Sequence, residues 1–132
     1  SKNPVYLDVM TEDQPGRINH IDLAKEADLF LVAPVSANTL AKLAHGMADN
    51  LVTATALALP SETPKLVAPA MNTKMYDNPL TQRNLKALKE VGFREIEPRS
   101  SKLACGDIGR GALADLPTII QTIEETLNES QK

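Results

Sequence analysis

The feature that most constrains this chain is a pair of short apolar runs that each end in Ala-Pro. Residues 29–34 are Leu-Phe-Leu-Val-Ala-Pro, and residues 66–69 repeat the ending as Leu-Val-Ala-Pro. Apolar and polar residues do not alternate in either run, which is typical of strands buried on both faces of a parallel sheet. Proline has no N–H to donate to a strand ladder, so we expect the strands to stop at Pro34 and Pro69.

The segments beside these runs have helical spacing and capping residues. The predicted helices cover residues 20–27, the segment capped by Ser36 or Asn38 and ended by Gly46, residues 51–59 after Asp49 or Asn50, residues 79–91 before Gly92, and a last helix from Asp115 through Leu127. Two further short strands are predicted over residues 5–9 and 93–96. Strands that alternate with helices predict βαβ units, and therefore an α/β fold with a parallel sheet. The helix over residues 51–59 is apolar nearly all round, which predicts burial, with another subunit as one candidate for its cover.

Composition and charge exclude several classes of protein. The 132 residues, of which 42% are apolar and 23% charged, fit one globular domain. A net charge of −3 with scattered basic residues argues against a nucleic-acid binder. No apolar run approaches the ~20 residues of a membrane helix. The lone Cys105 cannot form an internal disulfide, which favours a reducing, cytoplasmic setting.

Ligands of parallel sheets bind beyond the carboxyl ends of the strands, so the residues that follow the two runs are the candidate site. Residues 36–39 follow the first run and open a helix, where free N–H groups suit a phosphate or the edge of a polar heterocycle. Simple helix capping is the alternative interpretation. The chain has neither a Gly-rich dinucleotide fingerprint nor a phosphate loop that ends in Gly-Lys-Ser/Thr, which disfavours classical nucleotide-loop enzymes.

The loop after the second run contains Met71, Asn72 and Met75. Methionines in such a loop are either core filler or ligand contacts, whereas the Asn72 amide can both donate to a carboxylate and accept from a protonated group. His20 and His45 are isolated, and structural or exposed roles are the alternatives to catalysis. Two separated histidines and one cysteine lack the spacing of metal ligands, so no metal site is predicted.

Cys105 lies in a glycine-rich segment, Leu103 to Gly111, which has three glycines among its last six residues. Such a composition predicts a flexible loop, and a cysteine on a loop is less inert than one in a core. A mobile lid over a ligand is the functional interpretation, and a simple surface turn is the alternative.

Five segments, taken in order, resemble the flavin-containing cysteine decarboxylases. The segments are His20-Ile21-Asp22-Leu23, Pro34-Val35-Ser36-Ala37-Asn38-Thr39, Ala48-Asp49-Asn50, Pro69-Ala70-Met71-Asn72-Thr73-Lys74-Met75-Tyr76 and Ala104-Cys105-Gly106. The resemblance covers nearly the whole chain, and its most specific parts are the Pro-Ala-Met-Asn segment and the cysteine loop.

The resemblance implies a flavodoxin-like, Rossmann-like three-layer fold, bound FMN, and a homotrimer, or trimers assembled further into a dodecamer, with active sites between subunits. It implies that His20 is the active-site base and that Cys105 is the proton donor on a substrate-binding flap. Asn72 would hold the substrate carboxylate, with Ala104 and Gly106 also in the substrate site. The residues implied to contact FMN are Ser36, Ala37, Asn38, Thr39 and Ala70.

Three departures from the family accompany the resemblance. Tyr76 stands where the family commonly has Trp, and Val35 replaces a more usual small residue. The family also begins with a strand and a small-residue loop that grips the FMN phosphate, followed by a helix and another strand, all ahead of the position of Ser1. We therefore expect residues 1–132 to form a single flavoprotein decarboxylase domain that lacks this N-terminal strand-loop-helix.

The branch of the family that is most similar decarboxylates 4′-phosphopantothenoylcysteine to 4′-phosphopantetheine in coenzyme A biosynthesis. Loss of CO2 from a cysteine carboxylate leaves a carbanion without an electron sink, and hydride removal from the thiol-bearing carbon by FMN would create one. Two alternatives stay open at this point: a peptidyl-cysteine decarboxylase of the lantibiotic type, and a non-catalytic regulatory relative that binds a phosphatase.

Overall fold

The computed structural model describes residues 3–7, 27–102 and 108–130, with side chains for 27–100 and 110–130. The strands are β1 (Asn3–Leu7), β2 (Ala27–Val35), β3 (Lys65–Pro69), β4 (Phe93–Glu95), β5 (Arg99–Lys102) and β6 (Ile108–Ala112). The helices are α1 (Ala37–Ala44), α2 (Leu51–Ala58), α3 (Thr73–Asp77), α4 (Pro79–Glu90) and α5 (Leu116–Ser130).

Strands β1 to β4 form one parallel sheet in the order β1-β2-β3-β4. Strands β5 and β6 pair with each other as a separate antiparallel hairpin. The parallel sheet with helical crossovers confirms the predicted α/β, flavodoxin-like class.

Alternation along the two central strands divides the core into two layers. Phe30 and Val32 of β2 pack with helices α1 to α4, whereas Leu29 and Leu31 pack with α5. Because successive side chains of a strand lie on opposite faces, one continuous apolar run supplies both layers. The sheet is therefore the middle of three layers, as the resemblance implied.

Strand β2 differs at both ends from its prediction. It runs through Pro34 to Val35, and its register with β3 is irregular between Val32 and Val35. Pro34 has no N–H for the ladder, so the pairing skips over it instead of stopping there. At the other end, Ala27 begins β2, although the sequence assigned it to the helix over residues 20–27, whose other residues lie outside the described part.

Two of the capping alternatives are resolved. Ser36, not Asn38, caps α1, because its Oγ accepts from the Thr39 N–H at 3.1 Å. Asn50 caps α2 through a reciprocal capping box with Thr53. Asp49 instead pairs with Lys42 at 2.8 Å, and this hydrogen bond lowers the Asp49 pKa.

The structure contains two local elements that sequence patterns did not predict. Residues 73–77, predicted as loop, form the short helix α3, in which Met75 is 48% exposed and Tyr76 only 3% exposed. The interpretation of Met75 as a core residue is therefore wrong, because the helix directs Tyr76 inward in its place. The hairpin β5–β6 was also missed, since Arg-Ser-Ser-Lys has no apolar period to mark a strand.

Candidate active site

The carboxyl ends of β2 and β3 lie side by side. Val35 pairs with Pro69, and the Ala70 N–H donates to the Val35 carbonyl oxygen at 3.2 Å. The segments 36–39 and 70–72, which the sequence assigned to one site, therefore begin at neighbouring points of the same sheet edge.

The first of these segments is the N-terminal turn of α1. Ser36 Oγ is occupied as the acceptor of the cap, and the Ser36 carbonyl oxygen accepts from the Leu40 N–H at 2.9 Å. The N–H groups of Ala37 and Asn38 have no acceptor inside the helix, because the first turn of a helix has none to offer. The Asn38 side chain is exposed, whereas Thr39 is buried. This turn can therefore present two backbone donors and one amide to a polar ligand.

The second segment carries Asn72, which is the N-cap of α3. Its Oδ1 accepts from the Lys74 N–H at 2.7 Å, and the side chain is exposed. Because the oxygen is held by the cap, the Nδ2 group is the part of the amide that can donate to a ligand. An Asn fixed in this way suits a carboxylate acceptor without adding a full charge.

Strand β6 lies against the turn that carries Asn72. The Gly111 carbonyl oxygen accepts from the Met71 N–H at 2.8 Å. Gly111 has a φ of +137°, and a Cβ at this position would collide with the Met71 carbonyl oxygen. Glycine is thus required here for both conformation and close approach.

A polar network fixes α3 on its inner side. The Tyr76 hydroxyl donates to Glu95 Oε2 at 2.7 Å, and Glu95 Oε1 lies 3.1 Å from Lys89 Nζ. Burial, reinforced by the Glu95 carboxylate, raises the pKa of Tyr76. The Gln82 side chain donates to the Tyr76 carbonyl oxygen at 2.7 Å.

The structure brings together Ser36, Ala37, Asn38, Thr39, Ala70 and Asn72 at one sheet edge. The other predicted site residues, His20, Ala104, Cys105 and Gly106, lie outside the described residues. Sequence reasoning missed Arg110, whose guanidinium carbon lies 5.1 Å from the centroid of the Tyr76 ring. In the sequence, Arg110 is marked only by its position between two glycines, and this position does not predict a contact.

A cavity of about 380 Å³ lies at the opposite, amino end of the sheet. Lys65 and Phe93, the first residues of β3 and β4, line it together with apolar residues of α1 and α2. Desolvation by burial lowers the pKa of Lys65. The cavity lies at the amino ends of the strands, whereas the candidate site lies at their carboxyl ends, so the two are separate.

Within residues 3–7, 27–102 and 108–130, no group of three His, Cys, Asp or Glu side chains is placed to hold a metal ion. No helix in those ranges has the length and hydropathy needed to cross a membrane.

Comparisons with a family model, with known sequences and with solved structures all indicate the same family. The model of the family described as Flavoprotein matches residues 1–128. Over 127 residues the chain is 71% identical to a probable phosphopantothenoylcysteine decarboxylase of Streptococcus mutans, covering 96% of this chain and 71% of that protein.

Two solved structures are similar over most of the described fold. One is a PPC decarboxylase cysteine-to-serine mutant complexed with pantothenoylaminoethenethiol, at 43% identity and a TM-score of 0.79 over 88% of this chain. The other is the FMN binding protein AtHal3, at 45% identity and a TM-score of 0.75 over 91% of this chain. The chain spans 64% and 65% of these two solved chains.

Proposed function

Because this chain belongs to the flavoprotein family and, within it, to the phosphopantothenoylcysteine decarboxylases, we propose that it carries out the FMN-dependent decarboxylation of 4′-phosphopantothenoylcysteine to 4′-phosphopantetheine, a step of coenzyme A biosynthesis. One structural observation carries the proposal to this chain's own residues. The N-terminal turn of α1 and the Asn72 amide lie at adjacent strand ends, linked by the bond from Ala70 to Val35. A cofactor edge and a substrate carboxylate would be held next to each other in that arrangement.

The residues at the first strand end fit FMN. Ala37 and Ala70 have the smallest side chains that keep a Cβ, so a flat ring can approach the backbone beside them. The N–H groups of Ala37 and Asn38, with the Asn38 amide, suit the polar edge of the ring system, and Ser36 and Thr39 hold the turn in shape. When bound, FMN supplies hydride transfer, and the protein supplies placement and proton movement.

Asn72 is proposed to hold the substrate carboxylate through Nδ2. A neutral donor orients the carboxylate without the strong ground-state stabilisation that a lysine or arginine would give, which would oppose loss of CO2. The cap bond from Lys74 N–H to Asn72 Oδ1 prevents the amide from flipping, so the donor end stays toward the ligand.

Proton movement is assigned to two residues on the strength of the family resemblance. His20 is proposed as the base, because an imidazole titrates near neutral pH. Cys105 is proposed to donate the proton that replaces CO2, with Ala104 and Gly106 beside it in the substrate site. The thiol must stay protonated for this role, so a site closed to water would help.

We propose further that the enzyme is a cytoplasmic homo-oligomer, a trimer or an assembly of trimers. The support in this chain is helix α2, which is apolar on nearly every side. Val52 and Thr55 of α2 are buried by the chain itself, yet Leu57 is 62% exposed. A second copy of the chain would cover that remaining apolar face.

The test is turnover by the full-length protein. Purified enzyme should show a flavin absorption spectrum and should release CO2 from 4′-phosphopantothenoylcysteine in preference to a peptide that ends in Cys. The variant Cys105→Ser should release CO2 but fail to form 4′-phosphopantetheine, because the proton donor is lost. A Cys105→Ser enzyme with full turnover would contradict the assigned role.

The two competing functions give different results in the same assay. Preference for the peptide would indicate a peptidyl-cysteine decarboxylase. A folded, flavin-containing protein with no activity on either substrate would indicate a regulatory relative.

A further inference from the structure

Arg110 connects strand β6 to helix α3 by two contacts. Its guanidinium carbon lies 5.1 Å from the centroid of the Tyr76 ring, and Nη2 lies 3.6 Å from Asp77 Oδ1. Both contacts are with consecutive residues at the end of the helix that Asn72 caps. A cation over an aromatic ring that also faces a carboxylate is held in one orientation by two different attractions.

The neighbouring residue of β6 makes a third contact with the same region. Gly111 accepts a hydrogen bond from the Met71 N–H at 2.8 Å, and it packs directly on the Met71 carbonyl group. Strand β6 therefore contacts the residue immediately before Asn72 and the two residues that end α3. Asn72 lies between these contacts in sequence.

The end of α3 is also fixed to the core. Tyr76 donates to Glu95, whose side chain is only 4% exposed and also pairs with Lys89. Gln82 of α4 donates to the Tyr76 carbonyl oxygen. These bonds anchor the end of α3, and Arg110 holds β6 against that anchored end, so that Gly111 stays in contact with the turn that carries Asn72.

We propose that Arg110 is a positioning residue for substrate binding: by clamping β6 onto Tyr76 and Asp77, it fixes the turn that presents the Asn72 amide to the substrate carboxylate. This inference rests on the proposed function, and specifically on the role given there to Asn72. Arg110 does not touch the substrate in this scheme. The Arg110 and Asp77 side chains are 53% and 54% exposed, so their ion pair contributes little and the effect of Arg110 is expected to be modest.

The first experiment compares Michaelis constants of full-length variants for 4′-phosphopantothenoylcysteine. Arg110→Ala should raise KM by about two- to five-fold, which is the factor that corresponds to the free energy of one exposed cation–π contact. The kcat and the affinity for FMN should stay nearly unchanged. Arg110→Lys should recover part of the loss, because it keeps a cation for the ring and for Asp77. Arg83→Ala is the matched control: Arg83 is exposed on α4 and forms no ion pair within the described residues.

A double-mutant cycle tests whether Arg110 acts through Asn72. If it does, adding Arg110→Ala to Asn72→Ala should raise KM no further, because the amide being positioned is already gone. Additive effects of the two substitutions would overturn the inference. An unchanged KM in Arg110→Ala together with a raised KM in Asn72→Ala would also overturn the inference. That result would leave the proposed function intact.

Hydrogen exchange supplies a readout that does not depend on turnover. The Met71 amide proton, bonded to Gly111, should exchange about two- to five-fold faster in Arg110→Ala than in the parent enzyme, by the same contact energy. If the enzyme proves inactive, the proposed function fails, and this measurement still decides whether Arg110 orders the turn. Equal exchange rates in the two proteins would contradict the inference.

Discussion

The hydroxyl of Tyr76 connects helix α3 to strand β4 through a buried carboxylate. Tyr76 is only 3% exposed, and its hydroxyl needs a hydrogen-bond partner when buried. Glu95 provides that partner at 2.7 Å, and Lys89 balances its charge. The sequence showed only the aromatic exchange. The partner is 19 residues away on another element, which no local pattern could have indicated.

Removing this hydroxyl should destabilise the protein. In Tyr76→Phe the Glu95 carboxylate keeps Lys89 alone among its partners in the described part of the chain, so we expect a loss of about 1–3 kcal/mol in the free energy of unfolding, the cost of an unsatisfied buried polar group. Urea unfolding at pH 7 measures the loss. Thr122→Ala, which removes a hydroxyl whose hydrogen bond to the Thr118 carbonyl oxygen is exposed, is the control and should change stability far less. Equal stability of Tyr76→Phe and the parent protein would contradict the expectation.

The same variant should change the pH dependence of stability. Burial and Glu95 raise the Tyr76 pKa above the ordinary value of 10.0, so the hydroxyl stays protonated in the folded state while the unfolded chain ionises. Its stabilisation is complete below pH 10 and is lost as the pH rises toward the folded-state pKa. The stability difference between the parent protein and Tyr76→Phe should therefore narrow above pH 10, and a constant difference would contradict this assignment.

At the scale of elements, the helices and strands with long apolar patterns could be predicted from the sequence, and the short polar elements could not. Strands β2 and β3, and helices α1, α2, α4 and α5, follow from apolar runs, helical spacing and caps. The short helix α3 and the hairpin β5–β6 do not, because tertiary contacts rather than periodicity hold them in place. Because the carboxyl ends of parallel strands meet at one sheet edge, the sequence also predicted that residues 36–39 lie beside 70–72. The contacts of Arg110 and Gly111 with α3 could not be predicted, since no sequence pattern marks them.

The docking of β6 on the Asn72 turn gives a sharp prediction for two glycines. Gly111→Ala forces a Cβ into the Met71 carbonyl oxygen at a φ of +137°, so β6 must move away. We expect Gly111→Ala to lower the free energy of unfolding by at least about 3 kcal/mol, which is more than the ~1–2 kcal/mol cost of a left-handed backbone alone. Gly46→Ala is the matched control, since Gly46 has a φ of +70° and nothing within 4 Å of its Cβ position.

Chemical denaturation of both glycine variants gives the comparison. Similar losses in Gly46→Ala and Gly111→Ala would mean that backbone strain alone explains both, and that the close approach of β6 to Met71 does not constrain the protein.

At the scale of the whole molecule, helix α2 leaves an apolar face uncovered. Leu57 of α2 is 62% exposed, and Met47 and Val91, which line the neighbouring cavity, are 49% and 66% exposed. Contiguous apolar surface on a protein commonly marks an interface. The sequence of α2, which is apolar nearly all round, already indicated another subunit as a cover, and the fold adds that the side carrying Leu57 is exposed.

Charge placed on that face should disrupt the proposed assembly. Leu57→Lys should lower the molar mass of the full-length protein in solution, measured by light scattering after size-exclusion chromatography. Leu80→Lys, at a site on α4 that is 58% exposed, should leave the mass unchanged. If Leu57→Lys keeps the parent mass, the subunit interface does not include this face of α2.

The parallel order of the main sheet also has a consequence for how quickly the protein becomes functional. Leu31 pairs with Leu66, and Leu66 with Arg94, so each pairing joins strands about thirty residues apart in sequence, and such long-range closures slow folding. The two halves of the candidate site become neighbours only once β2 and β3 have paired. Recovery of activity after dilution from denaturant should therefore follow the slow assembly of the sheet rather than the early formation of its helices.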